Sequence, residues 1–203
     1  GIDGLITAKN LYDNGYDVKI MTTSAKEREG IYLKYYQKCI KSKIEILSKS
    51  KIKKIKTPNL IIDGILGTGF KKKVREELNF IINWINESKS IVLSIDVPSG
   101  LNTDSGIVDN LAVNADFTLT IENLKVGMVF REGKNQSGVV KVAKIGFPVE
   151  AKLLLGGLKW KIFNKSLAFR LLRKPKIDIN KYNSGKVLII AGSKGMTGAS
   201  ILA

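Results

Sequence analysis

Leu60-Ile61-Ile62-Asp63-Gly64-Ile65-Leu66-Gly67-Thr68-Gly69-Phe70 reads as a short apolar strand that ends on a carboxylate and gives way to a glycine turn. Downstream, Val74, Leu78, Ile81, Ile82 and Ile85 recur at helical spacing, which predicts an amphipathic helix over 74–87. Ile91 to Ile95 is the next apolar strand, and it too ends on a carboxylate and a turn, Asp96-Val97-Pro98-Ser99-Gly100. Strand, helix and strand in this order predict an α/β fold with a mainly parallel, Rossmann-like sheet in three layers.

Outward from this unit the same alternation continues. Gly4 to Tyr12 reads as a helix that closes near Asn14-Gly15, followed by a strand from Tyr16 to Thr22. Ser24-Ala25-Lys26-Glu27 has capping-box spacing, so a second helix is expected to run from there toward Ile40. Phe117, Leu119 and Ile121 alternate, as do Val140 and Val142, and each set predicts a strand. After Pro148 the composition turns basic and weakly periodic. Residues 149–165 read as a connection and 166–203 as the opening of a second domain, with 1–148 as the first. Within that second part, Lys186-Val187-Leu188-Ile189-Ile190 is expected to be a buried strand, followed by the glycine-rich turn Gly192 to Gly198 and the start of a helix. Gly1 is not a Met, and Ala203 falls inside that helical pattern, so both ends read as cut.

Composition narrows the chemistry. The 203 residues include no histidine, which removes His-based triads and His metal sites. Cys39 stands alone, so no internal disulfide can form, and a reducing cytoplasm fits. No apolar run approaches the roughly 20 residues of a membrane span. The net charge of +16 is concentrated in two places: 41–56 carries seven lysines against Glu45, and 149–203 carries eleven Lys and Arg against two acids. The lysine stretches lack the interleaved aromatics that stack on bases, so they read as solvated faces and not as a nucleic-acid patch.

In open α/β sheets ligands bind beyond the carboxyl ends of the strands. Three features fall there: Asp63 with Gly67 to Phe70, Asp96 with Pro98-Ser99-Gly100, and Gly1-Ile2-Asp3-Gly4 at a helix start. Glycines admit a ligand close to the backbone, and helix-start N–H groups attract phosphate. Two carboxylates at neighbouring strand ends can hold a cation, bond a ribose or move a proton. The second glycine turn lacks the G-x-x-x-x-G-K-[ST] spacing of a P-loop.

These residues resemble a known family. Gly1-Ile2-Asp3-Gly4-Leu5, Ile62 to Phe70, Leu93-Ser94-Ile95-Asp96-Val97-Pro98-Ser99-Gly100-Leu101, Asp104-Ser105-Gly106 and Thr118-Leu119-Thr120 together look like the YjeF-type NAD(P)H-hydrate epimerase domain. Gly185 to Ser193 with Met196-Thr197-Gly198-Ala199 resembles the start of a ribokinase-like, ADP-dependent NAD(P)H-hydrate dehydratase. The resemblance implies epimerisation of the hydrates NADHX and NADPHX, with dehydration of the S form at the expense of ADP or ATP by the second domain. It further implies a potassium ion on Asp63 and Ser99, and substrate contacts from Asp3, Gly67, Thr68, Gly69, Phe70, Lys71, Lys72, Lys73 and Asp96. Asp96 is the implied acid/base. The pattern departs from the family at Ile2, where a Gly is usual, and at Asn180-Lys181, where His-Lys is usual. A Rossmann oxidoreductase is the main rival, and a non-catalytic binding module is a second. A homo-oligomer stays open.

Overall fold

The computed structural model describes residues 1–23, 29–52, 54–71, 73–148, 162–171, 180, 186 and 188–202. The chain divides into two compact units, Gly1–Gly157 and Leu158–Ala203. In the first, the elements run α1 (Ile2–Asp13), β1 (Lys19–Met21), α2 (Ile31–Lys41), β2 (Glu45–Leu47), α3 (Lys49–Ile52), β3 (Leu60–Asp63), α4 (Glu76–Glu87), β4 (Ile91–Ile95), β5 (Phe117–Ile121), a 3-10 turn (Val126–Met128), α5 (Gly133–Gln136) and β6 (Val139–Ala143). All the strand pairings are parallel, in one sheet of order β1-β2 and one of order β3-β4-β5-β6. The expected α/β architecture with a parallel sheet is therefore present.

The core follows the sequence pattern closely at α4. Leu78, Ile81, Ile82 and Ile85 are all buried and pack with Ile61 of β3 and Val92 of β4. Val74 lies before the helix, yet it is buried in the same cluster. A second cluster joins Leu5 and Ala8 of α1 to Ile20, Cys39 and Ile44. α1 ends as expected: Gly15 donates its N–H to Tyr12 O and takes a φ of 86°, which suits a residue without Cβ.

Cys39 is fully buried and its thiol points at the Leu5 carbonyl, 3.6 Å away. Burial pushes the thiol's pKa up, because the thiolate would lose its water. A thiol reagent is therefore expected to react with Cys39 at least roughly a hundredfold more slowly in the native protein than in urea. Equal rates would show that the α1–α2 layer is not closed.

Several expectations need correction. α2 begins at Ile31, with Gly30 at φ 69°, and not at the Ser24–Glu27 box, which lies outside the described residues. β2 and α3 were not expected, because their apolar residues are buried in a lysine run. On β5 the buried side chains are Thr118 and Thr120, while Phe117 and Leu119 remain 42% and 41% exposed. Alternation located the strand there, but it did not say which face is covered.

The second unit holds α6 (Lys165–Leu171) and α7 (Gly198–Leu202). Asn164 caps α6 by accepting the Leu167 N–H at 2.9 Å. The expected strand does not form among the described residues of that run, 186 and 188–190, and Val187 lies outside them. A ladder needs a neighbour, and Leu188 and Ile190 are 83% and 89% exposed. Most of the expected connection 149–165 also lies outside the described residues.

Candidate functional site

Parallel pairing places Asp63 opposite Ser94, so the ends of β3 and β4 lie side by side. Glycines permit the close approach of α1. The Gly1 amino group donates to Gly64 O, and a Cβ on Gly64 would sit 3.4 Å from Gly4 Cα. The expected turn 67–70 closes with Phe70 N–H donating to Gly67 O at 3.0 Å.

Asp63 is enclosed, 1% exposed, and accepts four bonds. Its Oδ1 takes Ile65 N–H at 3.2 Å and the Ser99 hydroxyl at 2.5 Å, and its Oδ2 takes Ser99 N–H and the Ser94 hydroxyl, both at 2.8 Å. Burial raises the Asp63 carboxyl above the usual carboxylate range, against the pull of these four donors. No Lys or Arg forms an ion pair with it among the described residues. Asp63 and Ser99 are thus hard oxygen groups of the kind a monovalent cation takes, although protein donors already meet both Asp63 oxygens and the Leu66 N–H meets Ser99 Oγ at 2.9 Å.

The four donors also make Asp63→Asn costly. Whichever oxygen becomes the amide NH2, it meets a backbone N–H that cannot turn away, Ile65 on one side or Ser99 on the other. Urea unfolding of Asp63→Asn is expected to show a loss of about 1–3 kcal/mol. An unchanged midpoint would mean that these bonds do not hold the loop.

Asp96 follows β4 in the left-handed region at φ 67°, a conformation that few residues other than Gly adopt. Its N–H donates to Leu119 O at 2.9 Å. Its Oδ1 receives Ile121 N–H at 2.8 Å, the Thr120 hydroxyl at 3.3 Å and the Lys125 ammonium. Among the described residues, Oδ2 receives none of these bonds. Asp96 and Thr68 line one cleft of about 340 Å³ with Ile121, Glu122, Asn123, Leu124, Lys125 and Phe147.

The structure thus joins Asp63 to Ser99, and Asp96 to Thr68, but Asp63 does not line the cleft. Asp3 stands exposed in the first turn of α1. Gly67 and Gly69 are exposed, whereas Phe70 packs against the α4 core. Lys71 pairs with Asp104 at 2.9 Å, Lys73 is exposed, and Lys72 lies outside the described residues. Thr120, Lys125 and the 121–124 wall were not foreseen. Thr120 belongs to the Thr118-Leu119-Thr120 stretch that carries part of the family resemblance, but no site role follows from that.

A larger groove of about 450 Å³ lies between α1 and α2, lined by Lys9, Asp13, Tyr35, Lys38 and Lys41 among others. Lys9 and Asp13 satisfy each other there, and no strand end or unpaired carboxylate opens into it.

An open parallel sheet with carboxylates and glycine turns gathered at the carboxyl ends of β3 and β4 is the Rossmann-like arrangement, in which ligands bind beyond the strand ends. The family described as YjeF-related protein N-terminus matches residues 1–127, and the chain belongs to that family. It is 33% identical over 204 residues to the bifunctional NAD(P)H-hydrate repair enzyme of Dictyoglomus turgidum, covering all of this chain and 40% of that protein. It is 30% identical over 209 residues to the enzyme of the same name from Thermofilum pendens, again covering all of this chain and 39% of that protein. The crystal structure of yeast ynu0 (YNL200c) shares the fold, with a TM-score of 0.65 at 22% identity over 80% of this chain and 69% of that one. The chain spans about 40% of the length of the curated relatives it matches. No described helix is long and apolar enough to cross a membrane.

Proposed function

We propose that this domain interconverts the R and S forms of NAD(P)H-hydrate, and that the protein it belongs to also dehydrates the S form with ADP or ATP. Residues 166–203 would open that second domain, with 149–165 as the connection. The observation that carries the reading is the Asp96 carboxylate, with one oxygen anchored by three donors and the other unclaimed, beside a cleft shared with Thr68. Family membership and the names of the relatives agree with it.

The chemistry requires one group that donates and then recovers a proton. Protonated Asp96 Oδ2 gives its proton to the hydroxyl on the hydrated ring carbon. The C–O bond breaks with its electron pair, water leaves, and the ring nitrogen lone pair closes a C=N bond. Water then adds to the opposite face of the flat iminium, its proton returns to Oδ2 through solvent water, and the centre is inverted without net redox change. No redox cofactor and no histidine are needed.

The remaining residues bind. Gly67, Thr68 and Gly69 offer an exposed turn to the substrate, and Lys71 and Lys73 bring positive charge beside its phosphates, as Lys72 would. Asp3 would touch the substrate from the first turn of α1. Asp63 and Ser99 would hold potassium through their oxygens, since no Lys or Arg among the described residues pairs with Asp63. The test is the intact protein with each epimer and with potassium removed by dialysis. Activity should fall without potassium and return on its addition. In Asp63→Asn the potassium needed for half-maximal activity should rise. Equal activity with and without the ion would remove potassium from the account.

A further inference from the structure

We propose that Lys125 is the positioning residue for Asp96: it anchors Oδ1 and thereby leaves Oδ2 as the proton-transfer atom. The inference rests on the reading above, in which Asp96 moves the proton. Lys125 is 29 residues from Asp96 in sequence, and both side chains are nearly buried, 18% and 19% exposed.

An ammonium has three N–H groups. Those of Lys125 are all accounted for: one goes to Asp96 Oδ1, one to the Thr120 hydroxyl at 2.9 Å and one to the Ile121 carbonyl at 2.9 Å. Lys125 therefore lines the cleft without an N–H to offer a phosphate or a leaving hydroxyl. It is not an anion anchor or a proton donor to substrate. Its charge and geometry are spent on one oxygen of the carboxylate.

The neighbouring turn shows what this arrangement does alone. Glu122 follows β5 at φ 60°, as Asp96 follows β4 at φ 67°. Glu122 N–H donates to Ala143 O at 2.7 Å, as Asp96 N–H donates to Leu119 O. Glu122 Oε2 accepts Ile145 N–H at 3.1 Å, as Asp96 Oδ1 accepts Ile121 N–H. Lys144 lies 3.9 Å from the Glu122 carboxylate and donates to its carbonyl at 2.6 Å. The fold thus repeats one device at successive strand ends: a left-handed acidic residue that caps the next strand and carries a lysine. Glu122 also lines the cleft, but its carboxylate is only 4% exposed, so at β5 the device is a seam. At β4 the carboxylate borders the cleft, so the same seam presents a fixed oxygen.

The experiment compares Lys125→Met, Lys125→Arg, Lys144→Met and Asp96→Asn in the intact protein, with kcat and KM measured for epimerisation of the R hydrate. Lys125→Met is expected to lower kcat by about 10- to 100-fold with KM within about threefold, since only the orientation and charge balance of Asp96 change. Added to Asp96→Asn it should cost nothing more, because both act through one carboxylate. Lys144→Met should keep the wild-type rate. A raised KM at unchanged kcat would overturn the proposal in favour of direct substrate binding by Lys125. An additive double variant, or an unchanged kcat, would overturn it as well. If Lys125→Met does not fold, Lys125→Arg decides by the same split of kcat against KM, because it keeps the charge. A fully active Asp96→Asn would sink the acid/base reading itself. An inactive Asp96→Asn beside a fully active Lys125→Met would sink only this inference.

Discussion

Asp96→Asn is expected to lower epimerisation at saturating substrate by about 10²- to 10⁴-fold while the protein stays folded. The hydrogen bonds explain both halves of this result. All three donors meet Oδ1, so an asparagine that places its oxygen there and its NH2 at the Oδ2 position keeps every anchoring bond. What it loses is the atom that gives and recovers the proton. Stability should shift by no more than about 1–2 kcal/mol. The contrast with Asp63→Asn is instructive: the same substitution 33 residues upstream cannot satisfy its donors, because both oxygens of Asp63 face a backbone N–H. The assay follows the R form after the S form has been removed, together with thermal melting. A normal saturating rate in Asp96→Asn would move the proton-transfer role to Asp3 or to bound water.

Gly100→Ala carries the second large effect, and it acts on stability. Gly100 sits at φ 97°, where a side chain is strained, and a Cβ there would lie 2.2 Å from Leu111 O and 2.9 Å from Ala112 Cα. Both obstacles are backbone, so neither can rotate aside. Ser99 O accepts the Val113 N–H at 2.9 Å, so the displaced segment includes the residue that also holds Asp63. The left-handed penalty together with the overlap gives a loss of roughly 3 kcal/mol or more. Urea unfolding would measure it. A midpoint equal to the wild type would mean that the 99–113 crossing has room for a methyl group. Because Ser99 moves with Gly100, activity should fall further than the folded fraction alone accounts for.

Legibility in the sequence was highest where short-range pattern and burial coincide. β3 and β4 are apolar runs stopped by Asp63 and Asp96, and both signals survive in the fold as parallel neighbours with carboxylates at their ends. α4 was legible because Leu78, Ile81, Ile82 and Ile85 mark one helical face and nothing competes with it. β2 was not, because three residues, Glu45-Ile46-Leu47, give too short a period and sit among lysines. The Asp63–Ser99 pair could be named from the resemblance, yet its four-donor cage could not be, since Ser94 and Ser99 converge only when two strands are in register. Lys125 left no mark at all. Its partners are Asp96, from the previous strand end, the Thr120 hydroxyl and the Ile121 carbonyl, and no local spacing predicts the contact with Asp96 across 29 residues. The Leu188–Ile190 run shows the opposite failure: an apolar pattern that reads as a strand forms none here, and among the described residues no strand pairs with it.

The central claim is tested most directly by incubating the intact protein in potassium buffer with the purified R epimer of NADHX or NADPHX and separating the epimers over time. The account predicts that the S form appears until the two reach a constant ratio, with no NAD(P)+ produced. An R epimer that persists unchanged, or that disappears only as NAD(P)+ accumulates, would contradict it.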